Sequence, residues 1–395
     1  MATSAQQIRD YRGLALLSYG FRPFFLFGAL WAAFAIAIWL PFLAGTVTLP
    51  TAMPPVQWHV HELIFGYVPA IVAGFLLTAV PNWTGRLPVT GPPLAALFAT
   101  WVAGRIAILL SGWVGVQLAA VIDLAFLALL AATVGREIVA SKKLNNLKIL
   151  GLVGLLFAAN AMFHAEVQLG INRGYGQRLG IAATVILIMV IGGRVIPSFT
   201  RNWLARQAPG PLPAPFDRFD LVSIAAAAFA LAVWVAAPEA VLTALVSTFA
   251  AALHTVRLAR WTGYRTADEP LVLILHIAYA FVPLGFALVA GSIWRPDLLL
   301  TSGAIHAWTA GAIALMTLAV MTRASLGHTG QPLTATRAIQ AIYAAAVVAA
   351  LLRIVAAFGF AREPLLWLSA SAWVIAFCGF VLVYGPLLTQ HSAPK

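Results

Sequence analysis

Residues 57–80, QWHVHELIFGYVPAIVAGFLLTAV, set two histidines and a glutamate at the mouth of a long apolar run. A helix that crosses a bilayer needs about 20 predominantly apolar residues, and this run supplies them. Ionisable groups at such a place are costly unless they are paired or hold a ligand. The run is one of many. The chain has 395 residues, of which 62% are hydrophobic and 9% charged, with a mean hydropathy of +0.93. Water-soluble domains of ordinary size cannot hide so large an apolar fraction. The sequence therefore reads as an all-α, polytopic integral membrane protein.

By the length rule twelve spans are expected, near 20–44, 60–81, 92–111, 113–137, 147–169, 178–199, 218–236, 239–259, 269–291, 299–322, 337–358 and 364–388. The first apolar run, 13–44, is longer than a signal-peptide core and meets no small-residue cleavage site, so it reads as a retained helix. Tight hairpins are expected at Gly112 and at Pro238–Glu239, where spans nearly touch. Of the 24 Lys and Arg, only Arg173, Arg178, Arg295 and Arg362 fall on one side, and Arg105, Arg194 and Arg353 fall inside spans. The rest, including Arg9, Lys143 and Lys395, share the other side, which places both termini in the cytoplasm. The net charge of +12 is thus topological, and nucleic acid is not an expected partner; membrane lipid is.

The organisation reads as a single membrane domain over 1–395, with a short cytoplasmic segment at 1–19 and a Pro-rich cytoplasmic loop, RNWLARQAPGPLPAPFD, at 201–217. PNWTGR (81–86), PSFTRNW (197–203) and MTRASLG (321–327) each close a span towards the cytoplasm. Either they mark three groups of four helices or they share only the chemistry of helix ends. The single cysteine, Cys378, excludes an internal disulfide and a thiolate cluster. The lack of a CxxCH motif excludes covalent haem attachment.

Depth sorts the eight histidines. His391 and His328 are expected in water, and His254, close to Arg257 and Arg260, at the interface. His59 and His61 open the second span, while His164 and His306 lie about 8 Å below the outer ends of the fifth and tenth. His276 lies about 10 Å deeper. A lone buried histidine is usually hydrogen-bonded to a neighbouring helix; several on different spans at matching depth favour a shared metal. Carboxylates are scarce beside this layer, which disfavours calcium, magnesium and manganese and favours haem iron or copper. Glu62 and Asn160 read as groups that orient an imidazole or relay a proton, and Glu62 equally as a helix N-terminal charge. Arg105 and Arg353 read as candidate partners of haem propionates; Arg105 pairing with Asp123, or either cation snorkelling outward, is the alternative. Gly74, Gly192, Gly193, Gly303 and Gly311 permit close helix approach, and Pro69 should kink the second span. Trp58, Phe65, Tyr67, Phe75 and Trp83 read as packing and interfacial residues. The i, i+2 spacing of His59 and His61 lets them share a metal only if His59 precedes the helix.

GFRPFFL (20–26), WHVHELIFGY (58–67), GFLLTAVPNWTG (74–85), FH (163–164), GGRVIPSFT (192–200) and AVMTRASLGHTG (319–330) together resemble the NnrS family over essentially the whole chain. The resemblance implies a bacterial inner-membrane protein with haem b and copper, linked to nitric oxide stress and denitrification. It carries over to His59, His61, His164, His276, His306 and the discordant His328, without dividing them between metals. Twelve spans also invite comparison with the catalytic subunit of haem–copper oxidases. No HH pair occurs here, so that likeness is one of architecture. Three functions compete: a metal site that binds and reduces nitric oxide, fed by an electron donor of unknown kind; a non-catalytic protein of nitric oxide or metal-nitrosyl stress; and a copper or haem transporter. The scattered 6 Met argue mildly against copper transport.

Overall fold

The computed structural model describes residues 11–142, 144–171 and 173–391; Arg9, Lys143 and Lys395, assigned above to the cytoplasmic side, lie outside them. All described regular structure is helical. Among the described residues twelve helices are long and apolar enough to cross a membrane, so the protein is a multi-pass membrane protein. They are α1 (Phe21–Leu43), α2 (Pro55–Thr84), α3 (Pro92–Leu109), α4 (Val116–Ala140), α5 (Leu147–Leu169) and α6 (Tyr175–Leu204). After the Pro-rich loop come α7 (Arg218–Ala236), α8 (Val241–Arg265), α9 (Pro270–Trp294), α10 (Thr301–His328), α11 (Arg337–Phe358) and α12 (Arg362–Thr389). A four-residue helical turn, Ser111–Val114, fills the expected hairpin at Gly112.

Two compact units divide the chain: Met1–Gly180 with Ala324–Gln331 and Phe377–Lys395, and Ile181–Arg323 with Pro332–Ala376. In the first, α1 lies against α2 where a glycine on one helix meets a large side chain on the other. Cβ atoms at Gly20, Gly28 and Gly74 would press on Leu77, Ile71 and Phe25. Lipid offers apolar side chains as good an environment as protein does, so close packing of this kind holds the helices together. The buried Arg22 donates to the carbonyls of Leu388 (3.0 Å) and Gln390 (2.7 Å), capping the end of α12 where backbone acceptors lack helical donors. The α5–α6 hairpin is closed by Glu166, whose carboxylate accepts from the N–H groups of Tyr175 (2.9 Å) and Gly176 (3.0 Å). A Cβ at Gly176 would fall on the backbone nitrogen of Phe163, which cannot swing aside. Gly176→Ala is therefore expected to lower stability by about 1–3 kcal/mol, read as a lower thermal midpoint in detergent.

In the second unit, α7 starts at a reciprocal cap. The Asp217 side chain accepts from Phe219 N–H (2.9 Å), and the Asp217 N–H donates to Asp220 (3.2 Å). Arg260, near the end of α8, pairs with Asp217 at 2.5 Å and lies over the Phe219 ring, so α7 and α8 run antiparallel. The guanidinium also holds the exposed Asp217 carboxyl below its usual range. Arg265 donates to the carbonyls of Ala208 (2.9 Å) and Pro211 (2.7 Å), which pins the Pro-rich loop.

Two helices share an unusual backbone. α2 widens to a π-helix over Glu62–Tyr67, directly after His61, and α10 does so over Ala307–Ile313, directly after His306. The spacing of His61, Gly66, Thr84 and Gly85 is repeated by His306, Gly311, Thr329 and Gly330, and Gly85 and Gly330 both take positive φ at the helix ends. π-Helical turns are rare and concentrate at functional sites. Pro69 stands just after the π turn of α2, where the missing N–H of proline leaves a rung of the α ladder without its donor.

Candidate metal centre

α2 begins at Pro55, and proline suits the first helical turn because its nitrogen needs no partner there. His59 therefore lies inside the helix rather than in a lead-in, and the two histidines diverge. The His59 ring stacks on Trp39 at 4.0 Å between centroids, while His61 turns into the first unit and is fully buried. The pair does not share a metal through adjacent faces of one turn.

Around His61 the helices deliver a compact set of charges. His61 Nδ1 lies 2.9 Å from Glu62 Oε1, and Nε2 lies 3.2 Å from Asp123 Oδ2 on α4. His164 on α5 brings its Nε2 to 3.0 Å from that same oxygen. Asn160, one turn earlier, donates to it at 2.7 Å. Arg105 on α3 donates to Glu62 Oε2 at 2.7 Å and to Asp123 Oδ1, so one guanidinium bridges both carboxylates. Trp31 on α1 donates to Glu62 Oε2 at 2.7 Å. Two glycines make the approach possible: a Cβ at Gly66 would fall on Arg105 Nη1, and one at Gly104 would crowd the Asp123 backbone. His61, Glu62, Arg105, Asp123 and His164 have side chains no more than 5% exposed.

Charge and distance together define what this cluster can hold. Two carboxylates face one guanidinium, which leaves one negative charge to be cancelled, because an unpaired buried charge is costly. Either a proton on one imidazole or a monovalent cation cancels it. His61, Asp123 and His164 each offer a ligand atom, and these atoms lie within 4.8 Å of one another. The 3.0 and 3.2 Å separations match neighbouring ligands on one tetrahedral ion, about 3.3 Å apart for bonds of ~2.0–2.1 Å. Glu62 accepting from His61 Nδ1–H is the outer carboxylate that commonly orients a metal-bound imidazole. The residues thus fit a bare ion. They do not fit a porphyrin, whose two axial imidazoles would stand about 6 Å apart by centroid at bonds of ~2 Å. The His61 and His164 centroids are 4.9 Å apart, with Asp123 bonded to both.

The other expected site residues lie elsewhere. Glu166, a carboxylate two residues from His164 that was not expected at the site, caps α6, so Glu166→Ala should cost about 1 kcal/mol of stability and leave bound metal unchanged, measured by melting and by elemental analysis side by side. Arg105 takes the carboxylate-paired alternative. In the second unit, His276 Nε2 contacts Thr200 Oγ1 at 2.8 Å, and that hydroxyl donates to Ile196 O. The His276 Nε2 is therefore the donor, and its buried Nδ1 carries a lone pair with no hydrogen-bond partner. His306 Nδ1 donates to Ser302 O at 2.6 Å, which leaves the lone pair on Nε2. Arg353, on α11, has a buried Nε with no hydrogen-bond partner.

His254, expected at the interface, faces the protein interior. It is fully buried, with Nε2 donating to Ser223 O (3.1 Å) and Nδ1 facing Tyr279 Oη (2.9 Å). The basic residue that seemed to mark the interface, Arg257, is itself buried through its pair with Asp220 at 2.8 Å. His328 is exposed and lies against Tyr19 and Phe21, and His391 donates to Gly13 O at 3.1 Å.

Asp123 is the ligand-set member that the histidine layer did not include. Its signal was present as a carboxylate in the middle of an apolar span, far from the Glu137 at the helix end, a position that marks function by its cost. A family model described as NnrS protein matches residues 15–392. No curated protein matches the chain.

Proposed function

The chain belongs to the NnrS family, and from that premise we propose that it is a haem–copper protein of the bacterial inner membrane that binds and reduces nitric oxide. Membership fits a membrane protein related to nitric oxide. The observation that carries the reading is the convergence of His61 Nε2 and His164 Nε2 on Asp123 Oδ2 in a dry, closed cluster.

Two imidazoles and a carboxylate are donors for zinc, copper or non-haem iron. The single uncancelled negative charge favours copper, which alone among them is stable as a monovalent ion. Bound there, copper would supply a one-electron couple and an open position for a diatomic ligand.

The chain's own residues do the remaining work. Glu62 holds His61 in the tautomer with its lone pair on Nε2. Arg105 locks Glu62 and Asp123 in place, and Asn160 fixes the Asp123 oxygen that faces both histidines. Trp31 donates to the same Glu62 oxygen that Arg105 holds. The surrounding helices exclude water, which strengthens each of these interactions.

Haem b falls to the second unit in this reading. His306 donates from Nδ1 to a backbone carbonyl, the kind of bond that orients a metal-binding imidazole, and Arg353 stands on α11 as the candidate propionate partner. The test uses purified protein loaded with copper and haem, titrated with nitric oxide and then given a chemical reductant. The expected result is a shifted haem spectrum and sustained loss of nitric oxide. A shifted spectrum without consumption would reduce the function to binding. An unchanged spectrum together with no consumption would overturn the reading.

A further inference from the structure

The second unit holds a polar and aromatic array that the metal centre does not use. Arg257 Nη1 donates to Tyr279 Oη at 2.6 Å, so the phenol must turn its own proton elsewhere. His254 Nε2 faces the carbonyl of Ser223, which can only accept, so Nε2 carries the hydrogen and Nδ1 the lone pair. The Tyr279 O–H therefore donates to His254 Nδ1 across 2.9 Å. This direction is fixed by the donors and acceptors around the pair. Asp220 balances the charge of Arg257, and both Tyr279 and His254 are fully buried.

Buried rings extend from the pair in both directions. Trp261 lies 4.6 Å from Tyr279. On the other side, Phe286 lies 6.2 Å from His254, Trp308 lies 5.0 Å from Phe286, and Trp234 lies 5.1 Å from Trp308. Gly285 makes the place for Trp308, since a Cβ there would fall on its indole nitrogen. Trp261 stands in the last turns of α8 and Trp234 in the last turn of α7. Those helices are antiparallel, so the array runs between opposite ends of the unit.

We propose that Tyr279 and His254 form a redox-active pair, and that the adjoining tryptophans carry the resulting hole across the second unit. In the step, Tyr279 gives one electron to a strong one-electron oxidant of the metal-complex or nitrogen-oxide-radical class, and the oxidant is reduced by one electron. The phenolic O–H bond breaks, and the proton moves to His254 Nδ1. The products are a neutral tyrosyl radical and an imidazolium. The short hydrogen bond makes this possible in a dry site, because the proton need not reach water. Ring contacts of this kind provide the electronic overlap by which Trp261 or Trp308 can refill the hole: the indole gives one electron to the tyrosyl radical and becomes a cation radical, while the proton returns from His254 Nδ1 to the phenolic oxygen. The proposal stands independently of the metal assignment in the first unit.

The test is photo-oxidation of the purified full-length protein in detergent by a flash-generated ruthenium(III) tris-bipyridine complex, read by electron paramagnetic resonance. A long-lived tyrosyl signal is expected, lost in Tyr279→Phe. Its formation should slow, and lose its solvent-deuterium isotope effect, in His254→Phe. Trp308→Phe should lengthen the life of the signal by removing a hole acceptor. Should Tyr279→Phe fail to fold, a fluorotyrosine placed at position 279 keeps the shape and must add fluorine splitting to the signal. An undiminished signal in Tyr279→Phe, or a signal without fluorine splitting in the labelled protein, overturns the proposal.

Discussion

Arg105→Ala is expected to destabilise the first unit by about 3–5 kcal/mol, the usual cost of removing one partner from a buried ion pair. The guanidinium is the only cation of fixed charge bonded to Glu62 and Asp123 among the described residues, and it donates to both. Its loss leaves two carboxylates facing each other's field in a site that water does not reach. One must then take up a proton or the helices must part. The measurement is the thermal midpoint in detergent with and without added copper. Copper should recover part of the lost stability, because a bound cation replaces some of the missing charge. Arg105→Lys should recover less than its charge suggests, since an ammonium cannot bridge two carboxylates with a planar fork.

Asp123→Ala is expected to abolish binding at the centre while disturbing the fold less. Without Asp123, Arg105 and Glu62 neutralise each other and the site no longer asks for a cation. His61 and His164 lose the oxygen on which both converge. Loss of an outer partner such as Glu62 typically weakens a metal site by about 10–100-fold. Loss of Asp123, which supplies a ligand atom and the balancing charge, should weaken it further. Titration with a copper-selective competitor distinguishes the two variants. Equal affinity in Asp123→Ala and the unaltered protein would remove Asp123 from the ligand set.

The parts of the molecule that were legible in the sequence are those set by local composition. All twelve spans follow from apolar length, and the divergence of His59 and His61 follows from their i, i+2 spacing once the helix is seen to start at Pro55. What brings His61, Asp123 and His164 together is tertiary: α2, α4 and α5 are distant in sequence, and no local pattern announces a shared carboxylate. The π turns were equally silent, since Glu62–Tyr67 carries no composition that separates it from an ordinary apolar helix. The burial of His254 was hidden in the sequence for a specific reason. Positive-inside reasoning takes an arginine near a span's end as a marker of the membrane surface. Arg257 escapes that rule because Asp220, from the neighbouring helix, accompanies it inward.

The most direct measurement of the proposed centre is copper content per chain, with the nitrogen hyperfine pattern of the oxidised copper, in purified protein and in His61→Ala, His164→Ala and His391→Ala. The expected result is one copper with two imidazole nitrogens in the unaltered protein and in His391→Ala, and its loss in both of the others. Unchanged copper content and an unchanged nitrogen pattern in both His61→Ala and His164→Ala would contradict the assignment.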